Sequence, residues 1–140
     1  MEYSISMNIK YSLVFVCTLL LMGCGNKSIS NEKGPLVYEE TDIDLGDIVI
    51  EDGAKNLEFH LLNNGEKAFF IQTVVTSCDC TEAEYNKEFV YRGKGTTIKV
   101  KFDPSTLNEG AFERMIGVYS SIKQCPDTLY IHGVAKHKKK

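Results

Sequence analysis

Past its first forty residues the chain alternates between apolar and polar positions. Leu57, Phe59 and Leu61 interleave with Asn56, Glu58 and His60, and Ile98, Val100 and Phe102 with Thr97, Lys99 and Lys101. Ile116 with Val118, and Leu129 with Ile131, repeat the pattern. Successive side chains of a strand point to opposite faces, so a period of two predicts strands with one buried face, whereas a helix needs a period of 3.6. Residues 68–75 are apolar on both faces, as a central strand can be. Turn formers punctuate the runs: Glu51-Asp52-Gly53, Asn63-Asn64-Gly65, Arg92-Gly93-Lys94-Gly95, Asp103-Pro104 to Gly110, and Cys125-Pro126-Asp127. Seven strands are expected, at 43–50, 55–63, 67–75, 89–90, 96–102, 112–120 and 128–135, with 36–39 as a candidate extra edge. Short strands at this spacing over about 100 residues predict an all-β, seven-stranded antiparallel immunoglobulin-like Greek-key sandwich. Phe59, Phe69, Phe70 and Phe102 are its core candidates. The chain has no Trp, and no Cys falls in 55–63 or 112–120, so an antibody-type core is excluded.

The first two dozen residues follow other rules. Lys10 precedes an apolar run, Leu13 to Cys17 and Leu19 to Met22, too short for the roughly 20 residues of a spanning helix. A short apolar run behind a positive charge reads as a signal peptide, with Met7 an alternative start. The run ends in Leu21-Met22-Gly23-Cys24, which resembles the lipobox of bacterial lipoproteins. That resemblance implies cleavage before Cys24, a diacylglycerol on its thiol and a fatty acid such as palmitate on its amine. Several acyl chains make a lasting anchor, where one chain is marginal. Gly25 in place of Asp points, by analogy with lipoprotein sorting, to the outer membrane of the cell envelope. The expected organisation is a signal peptide at 1–23, lipidated Cys24 and a polar tether at 24–35, the sandwich at 36–135, and a basic tail at 136–140.

Charge and motif content narrow the chemistry. Sixteen basic against 19 acidic residues, net −3, give no footprint for nucleic acid. There is no G-x-S-x-G, no phosphate-binding glycine loop and no spaced ligand set, so no cofactor or resident metal is expected. Asp79, Glu82, Glu84 and Glu88 match no calcium loop and read as a solvated acidic face. His60 and His132 fall on polar phases of strands in opposite sheets, and His137 sits in the tail.

The cysteines hold the one constellation with chemistry in it. Cys17 leaves with the signal and Cys24 is alkylated, so Cys78, Cys80 and Cys125 remain, an odd number. Residues two apart on an extended strand have Cα atoms about 6.6 Å apart, the outer edge of disulfide geometry, so closing Cys78 to Cys80 calls for a local turn and carries strain. Three readings stay open: packed or inertly paired sulfurs, a thiol-redox pair, or a Cu(I) site. Two thiolates alone do not complete a zinc tetrahedron. Connections in such a sandwich alternate between poles, which puts Cys125 a strand length, about 17–20 Å, from the pair. Cys125 is therefore expected to be unpaired within the chain. The same parity puts the tether at the Cys125 pole and the Lys tail at the Cys78/Cys80 pole, with the pair facing away from the membrane.

Several segments together carry a family likeness. They are Ile43-Asp44-Leu45-Gly46-Asp47-Ile48, Phe59-His60-Leu61-Leu62-Asn63-Asn64-Gly65, Thr76-Ser77-Cys78-Asp79-Cys80-Thr81, Val100-Lys101-Phe102-Asp103-Pro104, Val118-Tyr119-Ser120-Ser121 and Leu129-Tyr130-Ile131-His132-Gly133-Val134. From Ile43 to Val134 the chain resembles the bacterial domain-of-unknown-function 1573 family, related to the Hydin and major-sperm-protein type of immunoglobulin-like domain. The resemblance implies a seven-stranded sandwich and no established activity. Two positions depart from the family pattern: Asp79 stands where a Gly usually separates the cysteines, and Arg92-Gly93 where Pro-Gly is usual. Function is expected to be non-enzymatic, an envelope lipoprotein whose domain binds a protein or glycan partner. The alternative is thiol-redox or copper handling through Cys78 and Cys80.

Overall fold

The computed structural model describes residues 34–139. The signal peptide, Cys24, all of the tether before Gly34, and Lys140 lie outside the described residues. Eight strands are present among those described: β1 (Leu36–Tyr38), β2 (Asp42–Val49), β3 (Lys55–Asn63), β4 (Ile71–Thr76), β5 (Thr81–Tyr85), β6 (Gly95–Phe102), β7 (Gly110–Ser120) and β8 (Asp127–Lys136). They form two four-stranded sheets, ordered β1-β3-β6-β5 and β2-β8-β7-β4. The all-β sandwich is as expected, with two corrections. There are eight strands rather than seven, and one pair, β2 with β8, is parallel.

The candidate extra edge at 36–39 is present as β1 at the edge of the first sheet, and the first expected strand is β2 in the second. β1 pairs antiparallel with the end of β3, Leu36 opposite Asn63. The chain then crosses to the second sheet as β2 without reversing, which is why β2 meets β8 in parallel. Within β2 the register shifts between Asp44 and Asp47. Gly46 supplies the bend at φ 61°, a conformation that costs a residue without Cβ little, and its N–H donates to Asp44 Oδ1 at 2.8 Å. Opposite the bend, a Cβ on Gly133 would stand 2.7 Å from the Gly46 carbonyl oxygen and 3.1 Å from the Phe112 ring. The Leu45-Gly46 and His132-Gly133 dipeptides of the sequence therefore meet at one close approach.

The period-two residues close the core as expected. Phe59, Phe69, Phe102, Ile98, Ile116, Leu129 and Ile131 are fully buried, and Phe102 stacks on Phe112 with ring centroids 5.3 Å apart. Burying one such side chain stabilises by roughly 1.5–3 kcal/mol, so the facing residues of β3, β6, β7 and β8 supply most of the cohesion. Phe70 is a correction: it is half-buried and meets the exposed Phe89 ring edge-on at 5.2 Å.

The fourth expected strand is also corrected. Phe89 and Val90 form no strand; Val90 makes an isolated bridge with Phe69. The strand that follows the cysteines is β5, whose Glu82 and Glu84 point to solvent while Thr81, Ala83 and Tyr85 turn inward. Glu82 and Glu84 form a solvated face on this strand, with Asp79 in the turn before it and Glu88 in the loop after it. β4, apolar on both faces, is an edge strand rather than a central one.

Candidate functional site

The Cys78-Asp79-Cys80 segment carries the chain from β4, one edge of the second sheet, to β5, one edge of the first. It closes one side of the sandwich. The backbone turns here: Thr81 N–H donates to the Cys78 carbonyl at 3.3 Å, and the Thr76 hydroxyl donates to the same oxygen at 3.2 Å. The turn draws the two Cα atoms to 5.2 Å, and the sulfurs are bonded to each other. Only glycines have positive φ among the described residues, so Asp79 makes the turn without the left-handed backbone a glycine would offer. The packed-or-paired reading of Cys78 and Cys80 resolves to a disulfide. Copper ligation would need its reduction first, because a disulfide sulfur offers no thiolate.

A shallow depression of about 390 Å³ opens beside the disulfide, between Asp79, Glu82, Lys101, Asp103 and Arg114. Arg114, reaching across from β7, donates its Nε–H to Cys80 Sγ at 3.3 Å. Lys101 pairs with Glu82 at 3.7 Å on the rim. Asp103 caps the short helical turn Pro104–Thr106 by accepting from Ser105 N–H, which holds its carboxyl below the usual range. The segment is tied down by Asp103 N–H donating to the Cys80 carbonyl at 2.8 Å. A three-residue ring removes little chain entropy, on the order of 1–2 kcal/mol by the loop-closure relation. The bond fixes this crossover more than it stabilises the whole domain.

Cys125 is a free, exposed thiol in the β7–β8 turn. Ser77 bonds the Met115 backbone, and from Met115 to the end of β7 at Ser120 is about 17 Å at 3.3 Å per residue. The expected separation of Cys125 from the pair therefore holds. Gly34 and Pro35 stand at the Cys125 pole, where the Pro35 carbonyl accepts from Asn64 and Gly65 N–H. The C-terminal residues stand at the other pole, but they do not form a free tail from residue 136. Lys136 ends β8 and pairs with Asp47, His137 Nδ1 meets Glu51 Oε1 at 2.7 Å, and Lys138 N–H donates to Glu51 Oε2. Donating to the Glu51 carboxylate raises the His137 pKa, and the same bond lowers that of Glu51.

The other histidines stay on the surface. His60 bonds Thr97 Oγ1 at 2.9 Å, and His132 meets Asp42 at 3.1 Å on the opposite sheet. Among the described residues no three His, Cys, Asp or Glu side chains gather as a metal would require.

Two features escaped the sequence reading. Asn63, wholly buried, donates from Nδ2 to the carbonyls of Val90 at 2.8 Å and Lys67 at 2.9 Å, and accepts Gly65 N–H on Oδ1 at 2.9 Å. It knots together the loops at the Cys125 pole; its place in Asn63-Asn64-Gly65 signalled a turn but not a buried hub. The second is the outer face of β2-β8-β7-β4, which exposes Val75 (54%), Met115 (49%), Val134 (37%) and Tyr119 (36%). Met115 lies opposite Tyr130, and Val75 opposite Gly117.

Fold and site together define an immunoglobulin-like β-sandwich whose edge is closed by a disulfide turn. The chain belongs to the family described as "Protein of unknown function (DUF1573)", whose model matches residues 36–135. No protein with a curated description matches it. A protein of unknown function from Porphyromonas gingivalis W83 superimposes with a TM-score of 0.60 at 14% identity, covering 71% of this chain and 46% of that one. The chain thus spans about half the length of that relative. The ASH / PapD-like domain 7 of human CEP192 gives 0.57 at 8% identity, covering 75% and 87%. The periplasmic chaperone SfaE gives 0.51 at 11%, covering 74% and 58%. At such identities the likeness is one of fold.

Proposed function

We propose that the protein is a lipid-anchored module of the bacterial cell envelope that works by binding a partner protein or glycan, without catalysis. The observation that carries this reading is the exposed apolar strip Val75, Met115 and Tyr119 on the outer face of the second sheet. Isolated apolar residues are ordinary on a surface, but neighbouring ones on a flat sheet mark contact sites. The lipobox-like Leu21-Met22-Gly23-Cys24 supports the anchor and the envelope location, with the outer membrane favoured. A photo-reactive amino acid at Tyr119, in cells, should yield one discrete crosslinked species, and the same probe at Glu58 on the other sheet should not. Met115→Glu should abolish the Tyr119 adduct. Equal crosslinking from both sheets would refute the reading.

A second reading rests on Arg114. If an external dithiol presents a thiolate to Cys78 Sγ, the S–S bond breaks and Cys80 leaves as a thiolate beside the guanidinium. The second thiol of that dithiol then attacks the mixed disulfide and releases Cys78. The dithiol is oxidised to a disulfide, and Cys78 and Cys80 are reduced with the two protons it gives up. Arg114→Gln should raise the pKa of Cys80 in the reduced protein and slow its reduction by dithiothreitol. Unchanged values would remove this reading and leave the disulfide a structural closure.

A further inference from the structure

The Cys125 pole differs from the rest of the domain in charge and in texture. Three segments build it: 64–70, 86–94 and 121–126. With Asp127 at the start of β8, they hold five of the nine basic residues between Gly34 and Ala135, namely Lys67, Lys87, Arg92, Lys94 and Lys123. Only three of the 17 acidic residues in that span, Glu66, Glu88 and Asp127, accompany them. This pole is therefore +2, while the remainder of the span has four basic against 14 acidic residues and is −10, or −6 with Lys136, Lys138, Lys139 and Lys140 counted. Its aromatics are exposed: Tyr91 is 65% and Phe89 58% exposed. These loops are also held in shape. Asn63 binds the Val90 and Lys67 carbonyls, its backbone exchanges hydrogen bonds with Gly93 and Lys94, and Phe70 braces Phe89.

We propose that this pole docks on the anionic headgroup surface of the membrane, with Phe89 and Tyr91 seated at the boundary of headgroups and acyl chains and Arg92 and Lys94 among the phosphates. Aromatic side chains with an apolar body suit that boundary, and basic side chains can lay their stems along it while the charge stays in the polar layer. Two observations select a bilayer as the occupant. The charge segregation complements an anionic surface. The chain also enters the fold at this pole, with Gly34 ten residues after Cys24, a span of at most about 36 Å. The proposal rests on the reading of Cys24 as acylated for that proximity. It fixes the orientation: the Cys78–Cys80 edge is directed away from the bilayer, and the outer face of the second sheet stands upright for a partner.

The chain has no Trp, so a single introduced Trp reports its own surroundings. Full-length protein purified from membranes is reconstituted into phosphatidylcholine vesicles with one third phosphatidylglycerol and brominated acyl chains. Tyr91→Trp should show a blue-shifted, strongly quenched emission, and Thr106→Trp at the opposite pole should show neither. Each basic residue near an anionic surface is worth about fivefold in partitioning, so Arg92→Gln with Lys94→Gln should weaken vesicle binding of the Cys24→Ser full-length protein about 25-fold. Flotation reports the anchor separately. A Tyr91→Trp protein that floats with unquenched emission overturns the docked pole and leaves the anchor standing. A Tyr91→Trp protein that does not float, yet is quenched as vesicles are titrated in, overturns the anchor and supports the pole. Quenching in Thr106→Trp rather than in Tyr91→Trp would reverse the orientation and refute the proposal.

Discussion

Replacing Asn63 should unfasten one end of the sandwich. Its side chain makes three hydrogen bonds with no solvent to replace them, because the residue is fully buried. A typical intramolecular hydrogen bond contributes about 0.5–1.5 kcal/mol net, and a buried group left unpaired costs about 1–3 kcal/mol. Asn63→Ala removes all three bonds while the Val90 carbonyl keeps the Phe69 N–H at 3.1 Å, so the loss expected is that of the three bonds, about 3 kcal/mol. For a domain of about 100 residues this lowers Tm by roughly 12–25 °C. Asn63→Asp separates hydrogen bonding from volume. It retains the acceptor for Gly65 N–H but exchanges two donors for a buried carboxylate facing two carbonyl oxygens. That carboxyl's pKa should be raised in the folded state. The extra penalty is then absent below the ordinary Asp pKa of about 3.9 and grows as pH rises through the folded value. Urea unfolding followed by far-ultraviolet circular dichroism, with the slope unchanged, measures both variants. A loss below about 1 kcal/mol for Asn63→Ala, or an Asp variant as stable as the native protein at neutral pH, would refute the hub.

Ser120→Ala should be neutral or stabilising by up to about 1 kcal/mol, since the Ser120 hydroxyl is buried without a partner; a clear loss in the same urea assay would reveal a bond the geometry does not show. Gly133→Ala should cost about 2 kcal/mol or more by forcing β2 and Phe112 away from β8, and a fall of less than a few degrees in melting temperature would contradict the close approach. For the His137–Glu51 contact, the raised His137 pKa gives stability that is full below its unfolded value of 6.5 and lost as pH rises through the folded one. The lowered Glu51 pKa gives stability present above 4.5 and lost as pH falls through its folded value. The clasp is thus strongest between those two values, and proton NMR should show the His137 midpoint dropping in Glu51→Gln.

Much of this architecture is local and therefore legible in the chain. β3, β6, β7 and β8 announce themselves because their inward residues are large and apolar at every second position. β5 does not, since Ala83 and Tyr85 are a thin apolar phase and Glu82 and Glu84 read as a solvated loop. β4 reads as central because both its faces are apolar, yet Val75 belongs to an exposed surface that no strand covers. The parallel β2–β8 pair depends on a crossing between sheets that no residue pattern records. The C-x-C spacing raises the question of a disulfide. Its answer lies in the Thr81–Cys78 backbone bond, and the Arg114 contact comes from a strand 34 residues on. Asn63 looks like any turn asparagine until its three partners are brought around it.

The central claim, an anchored domain whose paired cysteines close a strand crossover, can be tested in one intact-mass measurement. The protein is extracted from membranes, treated with an alkylating agent without reduction, and weighed. The account predicts a chain beginning at Cys24, carrying acyl groups, two hydrogens lighter than the fully reduced form, and alkylated once, at Cys125. A chain that begins upstream of Cys24 without lipid, or one alkylated at Cys78 and Cys80, would contradict it.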